Sequence, residues 1–138
     1  MKINELRLGN WVKCKNNYAK VENMSSRFIM DTSDYVGVRY INEGYTMCVN
    51  TAFTPIEITE EMLVNLFGKP RINEYKFDIY TVPTPTIGIE IQDRRKSPLP
   101  TPTICVLKFG VHVCDIEYLH QLQNIYYLLI GKELEVSL

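Results

Sequence analysis

Residues 11–22 read WVKCKNNYAKVE, and this stretch decides the first half of the fold. Residues 11–15 alternate apolar and polar side chains, which is the two-residue period of a β-strand with one buried face. The two asparagines at 16–17 are turn residues. Residues 18–22 then resume the alternation, so the stretch predicts a β-hairpin.

The same half of the chain holds more short apolar segments separated by turn residues, and no sustained helical period. Further strands are predicted over residues 27–31, 35–41 and 45–53. Four or five short strands with tight turns can curl and so protect their edges. Residues 1–58 are therefore predicted to form a small N-terminal SH3-like β-barrel.

A helix is predicted over residues 60–67, which read EEMLVNLF. Thr59 can cap its first turn, and the two glutamates at 60 and 61 suit the positive end of the helix dipole. Gly68 can adopt the left-handed conformation that ends a helix, and Pro70 prevents its continuation.

The remaining chain alternates between strand and helix signals. Three strands are predicted, over residues 74–82, 87–92 and 104–109. The strongest helical period covers residues 116–130, with Asp115 as its cap and Gly131 as its end, and its apolar face is expected to cover the second sheet. Residues 133–138 are considered as a final short strand. Residues 59–138 thus form an α-β-β-β-α unit, and the predicted fold class is α+β, with both parts packed together as one compact protein.

Composition excludes several classes of protein. The 138 residues carry a formal net charge of −1, so the whole chain has no field that would attract nucleic acid or anionic lipid. No apolar run approaches the length of a membrane span, and the first residues do not resemble a secretion signal. We therefore expect a cytoplasmic protein whose four cysteines are reduced.

Three stretches resemble those of one family. They are LRLGNWV at residues 6–12, PIEITEEML at 55–63, and YLHQLQNIY at 118–126 followed by GKEL at 131–134. This combination resembles a family of short uncharacterised bacterial proteins, often found in prophages and other mobile elements. The resemblance brings no established activity and implies an accessory role.

A polar cluster on the last predicted helix is the first candidate binding surface. His120, Gln121, Gln123 and Asn124 crowd into little more than one turn, and positions 120 and 124 stack on one face. The cluster can offer hydrogen bonds to a partner or a small molecule. The simpler interpretation, which we favour, is that one or two of these groups tie the helix to the neighbouring barrel.

The second candidate surface is a basic hairpin tip, Arg94, Arg95 and Lys96, which lies near Lys108 in the predicted sheet. Aromatic side chains on a small barrel can stack nucleic-acid bases. The aromatic residues of the first half are Trp11, Tyr18, Phe28, Tyr35, Tyr40 and Tyr45. Because the net charge is close to zero, we favour a buried role for these rings and solvated charges at the tip.

Chemistry-bearing residues are sparse. His112 and Cys114, with Cys105 nearby, form the best metal candidate, but zinc sites use three or four ligands at paired spacings that are missing here. No activated cysteine, serine elbow or phosphate loop is present. We predict no catalytic residues, no metal and no cofactor.

The predicted function is a non-enzymatic interaction module of mobile-element or prophage origin, which binds a protein partner or itself. The first alternative is a small enzyme or ligand-binding protein with a pocket between the barrel and the C-terminal helix. The second alternative is a nucleic-acid-binding accessory protein.

Overall fold

In a computed structural model of the protein, the described residues are 5–14, 17–25, 35–40, 44–49, 53–83, 88–98, 100 and 103–138. They contain two helices and two five-stranded antiparallel sheets, so the predicted α+β class is confirmed. The chain divides into two compact units. One comprises Met1–Glu57 and Tyr118–Leu138, and the other comprises Ile58–Glu117.

The first unit contains the predicted hairpin. Its strands are β1 (Trp11–Cys14), β2 (Asn17–Ser25), β3 (Tyr35–Tyr40), β4 (Gly44–Val49) and β5 (Phe53–Thr54). They follow the order β4-β3-β2-β1-β5. The pairing of β2 with β3 shifts register between Val21 and Asn23, an irregularity of the kind that bends a strand. The side chains that point inward form the core of this unit, namely Leu6, Val12, Cys14, Ala19, Val21, Val38 and Phe53.

The first sheet is not closed within the described residues, since no pairing joins β4 to β5. The SH3-like barrel is therefore not confirmed, while the antiparallel sheet that it requires is present. The strand predicted over residues 27–31 lies outside the described residues.

The last helix, α2 (Leu119–Ile130), begins three residues later than predicted. Asp115 does not cap it, because the chain stays extended to Ile116 in a strand of the second sheet. Tyr118 is the N-cap residue, and Gly131 ends the helix with a φ of 77°, as predicted. The helix contacts β1 and belongs to the first unit, whereas the sequence assigned it to the second sheet. Residues 133–138 form no strand.

The second unit opens with α1 (Glu60–Phe67), where the predicted Thr59 cap is confirmed and Gly68 is the C-cap residue, with a positive φ but not the left-handed helical conformation that the sequence predicts. The Oγ1 atom of Thr59 accepts a hydrogen bond from the backbone N–H of Met62 at 3.2 Å. Gly68 ends the helix with a φ of 82°. Leu63 is fully buried on the inner face of the helix.

The second sheet has five strands instead of the three predicted. They are β6 (Arg71–Ile72), β7 (Asp78–Thr81), β8 (Ile89–Asp93), β9 (Ile104–Lys108) and β10 (Val111–Ile116), in the order β10-β9-β8-β7-β6. The two additional strands are the edges. Both have largely exposed side chains, so they lack the alternation of burial that reveals a strand in sequence. No helix among the described residues is long and apolar enough to cross a membrane.

Candidate functional site

Gln123, from the predicted polar cluster, is buried and serves the backbone of its own unit. Its Oε1 atom accepts a hydrogen bond from the N–H of Trp11 at 2.9 Å. Its Nε2 atom donates to the carbonyl of Gly9 at 3.3 Å. Both ends of the amide are therefore used to hold the chain that enters β1, and Trp11 meets the cluster through its backbone.

Asn124, the next residue of α2, binds the same N-terminal segment. Its Oδ1 atom accepts from the Nδ2 of Asn10 at 3.0 Å and from the Nε of Arg7 at 3.3 Å. Its Nδ2 atom donates to the carbonyl of Glu5 at 2.9 Å. The internal tie that we favoured on sequence grounds is thus present, and two neighbouring amides of α2 make it.

Arg7 extends this contact to the chain that follows α2. Its guanidinium donates to both carboxylate oxygens of Glu133, at 2.6 and 2.9 Å, and lies 4.0 Å from the centre of the Tyr127 ring. The hydrogen bonds from Arg7 lower the pKa of Glu133. The N-terminal segment and the end of the chain are therefore held together by a bidentate ion pair.

His120 and Gln121 have different environments from their two neighbours. His120 is only 1% exposed, its ring stacks on that of Tyr118, and neither ring nitrogen has a hydrogen-bond partner among the described residues. Burial lowers the pKa of His120, so the imidazole is held neutral. The side chain of Gln121 accepts from the N–H of Tyr118 at 3.1 Å and so caps α2. The four predicted residues do not form one exposed surface.

The basic hairpin tip in the second unit is also engaged internally. Arg95 donates to both carboxylate oxygens of Asp93, at 2.9 and 2.6 Å, and to the carbonyl of Ile58 at 2.6 Å. The Nζ atom of Lys96 lies 3.1 Å from the carboxylate of Asp78 and 2.7 Å from that of Glu60.

The neighbouring Arg94 makes a different set of contacts. It donates to the side chain of Gln92 at 2.9 Å and lies over the ring of Phe77. Two of the three cations at the tip are therefore neutralised by carboxylates.

The acidic partners form a cluster that the sequence analysis missed. Asp78 and Asp93 are buried and lie directly opposite each other on β7 and β8. Tyr80 shares their surroundings, and its hydroxyl has no hydrogen-bond partner among the described residues. Burial, reinforced by the nearby carboxylates, raises the pKa of Tyr80 to about 12, so the hydroxyl stays protonated. Each buried carboxylate has its own cation, which makes the cluster a structural network.

The histidine and cysteines of the metal candidate lie on the neighbouring strands β9 and β10. His112 pairs with Asp115 at 3.0 Å on the exposed side of β10. Burial raises the pKa of both Cys105 and Cys114, which favours the protonated form of both thiols. No group of three metal-binding side chains is found in the part of the chain that the structure describes.

Among the described residues of the second unit, the exposed apolar side chains are most concentrated in the β9–β10 hairpin. Phe109, Val111 and Val113 are 70%, 68% and 39% exposed. We call these three residues the hairpin patch. β10 pairs on one side with β9, and the described residues place no strand on its other side. The strand predicted from the sequence ends at Phe109, and no role is predicted there for Phe109, Val111 or Val113.

Phe109 also has an uncommon backbone conformation. Phe109 and Gly110 connect Lys108 to Val111 with φ angles of 53° and 78°, the positive values that a type I′ turn requires. Asparagine or aspartate is usual at the first position, because a bulky side chain is strained there. Part of the ring rests on Gly88, where an added Cβ would lie 3.2 Å from it. In the sequence, the sign of this strained conformation is a bulky residue directly before a glycine in the two-residue loop of a hairpin.

No family model, curated protein or solved structure matches the chain. The resemblance to a family of mobile-element proteins therefore stays a prediction.

Proposed function

We propose that the protein is a non-enzymatic interaction module that binds a protein surface through the hairpin patch. Single exposed apolar residues are ordinary on soluble proteins, whereas clustered ones mark interaction sites. The patch places three within five residues, with Phe109 in the turn before β10 and two valines on β10, a strand that the described residues pair on one side only. An aromatic anchor flanked by smaller apolar side chains is the usual composition of an energetic centre in a protein interface.

The observation that carries the proposal is the combination of exposure and backbone strain at Phe109. A left-handed conformation costs a non-glycine residue about 1–2 kcal/mol. Contact with Gly88 accounts for one side of the ring, but 70% of the residue remains exposed. A large apolar side chain that is both strained and exposed does little for the stability of the fold, so its contribution is explained by a partner.

The two other functions have weaker support. A pocket around His120 needs a solvent-accessible imidazole, and only 1% of His120 is exposed. Nucleic-acid binding needs free cations at the hairpin tip, and Arg95 and Lys96 are matched by carboxylates there. Neither function is favoured by a specific contact.

We also propose that the first unit is a small, partly open barrel that acts as the scaffold. The support is the strand order, in which β1 pairs with both β2 and β5, and the register shift in β2, an irregularity of the kind that lets one strand serve two curved parts of a sheet. The mobile-element origin remains part of the proposal and rests on the three sequence motifs.

The test compares two substitutions that relieve the same kind of backbone strain. Phe109→Asn removes the anchor, and Lys76→Asn changes another residue with positive φ, at 61°, without removing apolar surface. The full chain and both variants are compared by sedimentation and by affinity capture from host extract treated with nuclease. We expect an association that Lys76→Asn retains and Phe109→Asn loses. Equal behaviour of all three proteins in both measurements would exclude the hairpin patch as the binding surface.

A further inference from the structure

The exposed side of β10 carries one basic and one acidic side chain, so the same two groups on a second copy of the strand could pair with them. His112 and Asp115 lie 3.0 Å apart, and both side chains are more than half exposed. Residues three apart on a regular strand point to opposite faces. Here the register shift between His112 and Cys114 inserts Val113 as an extra residue, which brings the two side chains to one face.

We propose that the partner of the hairpin patch is a second copy of this chain, with the β10 edges of the two copies antiparallel about a two-fold axis. This inference rests on the proposed function, because it names the partner of the same surface. If the axis passes between Val113 and Cys114, residue 112 of each copy lies opposite residue 115 of the other. His112, when protonated, then faces the Asp115 carboxylate of the other copy, twice in each dimer.

The apolar residues fit the same arrangement. The axis lies beside Val113, so the Val113 residues of the two copies lie close to the axis, and Val111 of each copy lies opposite position 116 of the other, a reciprocal contact of the kind that an isologous interface requires. The formal net charge of −1 adds little repulsion between copies. A single hairpin is smaller than a standard interface, so we expect a weak and reversible dimer with a dissociation constant in the micromolar range.

The bulge in β10 is consistent with this geometry. Bulges discourage continuous strand pairing at sheet edges, which protects a protein from open-ended aggregation. The proposed dimer depends on side-chain contacts around one two-fold axis. Such a contact uses the same surface of both copies, so a third copy cannot be added through it.

The experiment uses two variants of the full chain that are each expected to repel themselves. His112→Asp gives the β10 edge two carboxylates, and Asp115→Lys gives it two basic groups. Sedimentation over a range of concentrations should show a wild-type dimer and a weakening of about tenfold or more in each variant alone.

Mixing the two variants gives the decisive measurement. An equimolar mixture, with one variant fluorescently labelled, should regain association to about the wild-type level, because each carboxylate then faces a base. Mixing the two variants cannot restore the ion pair between residues 112 and 115 within either chain. Recovery of association in the mixture therefore reports only on the contact between copies.

Two outcomes would overturn the inference. One is a wild-type chain that stays monomeric at the highest concentration. The other is a dimer that neither charge change weakens, or that the mixture fails to restore. If the wild type is monomeric but captures another protein only when Phe109 is present, the second copy is excluded and the proposed function is retained.

Discussion

The polar face of α2 and the apolar hairpin between β9 and β10 both have surroundings that their sequences do not suggest. The face of α2 has the residue types of a binding site, yet Gln123 and Asn124 form their hydrogen bonds with the N-terminal segment of their own unit. The hairpin has an ordinary strand composition, yet it keeps three apolar side chains in solvent.

This difference shows which residues are available to a partner. A hydrogen-bonding side chain near buried backbone amides that lack a backbone partner binds to them, because an unpaired buried amide costs about 1–3 kcal/mol. An apolar side chain on an edge strand cannot form such hydrogen bonds, and it stays exposed unless another part of the protein or a partner covers it. The basic tip behaves like α2, since its cations neutralise the carboxylates beside it.

The largest effect is expected at the basic tip. Arg95→Met leaves Asp93 buried without its cation, and breaking such a pair costs about 3–5 kcal/mol. Hydrogen exchange of the β8 amides should show a loss of stability near the lower end of this range. Arg94→Met is the matched control, with an expected loss below about 1 kcal/mol, because Arg94 contacts an amide and a ring. Unchanged exchange in Arg95→Met, together with lost retention on nucleic acid, would make the tip a recognition surface.

Gln123→Ala should produce the next largest loss. The substitution leaves the Trp11 N–H and the Gly9 carbonyl without their partner, which predicts a loss of about 2–3 kcal/mol. Trp11 is the single tryptophan, so its fluorescence during urea unfolding reports on this unit. Leu128→Ala on the exposed side of α2 is the control and should change stability by less than about 0.5 kcal/mol. Equal losses in both variants would mean that the Gln123 amide does not hold the segment.

The burial of His120 predicts that the free energy of unfolding depends on pH, with an effect of intermediate size. Its pKa in the folded chain is lowered, first by burial and also by the amino-terminal charge, against an opposite effect of Glu5. The unfolded chain therefore takes up the proton first. Stability is fully present above the ordinary histidine pKa of about 6.5 and is lost as the pH falls below it, by up to about 1.4 kcal/mol per pH unit.

His120→Met fills the same buried position with a side chain that does not titrate. Unfolding followed by Trp11 fluorescence should lose this part of the pH dependence. A wild-type slope that persists in His120→Met would assign the acid sensitivity to other groups.

Local signals in the sequence were sufficient for some of these features. Thr59 and Gly68 define α1 because capping depends on neighbours in the chain. Contacts between distant segments were not accessible in this way. The spacing of Gln123 and Asn124 shows which residues share a helix face, but not that Gly9, Asn10 and Trp11 lie against that face.

The buried pair Asp78 and Asp93 was missed for a related reason. Their apposition depends on the register of β7 against β8, which is set across a long connection with two prolines. Charged residues are usually exposed, so composition gives no sign that these two are buried beside their cations.

The smallest expected effect is the most informative about the hairpin patch. Phe109→Asn replaces a strained bulky residue with one that favours the left-handed conformation, and it gives up the contact with Gly88. The two changes oppose each other, so the free energy of unfolding should stay within about 1 kcal/mol of the wild type and should not fall substantially. Lys76→Asn gives the gain from strain relief alone, measured by urea unfolding. A loss of several kcal/mol in Phe109→Asn would place the ring among the residues that stabilise the fold, and the hairpin would then resemble α2 in using its side chains internally.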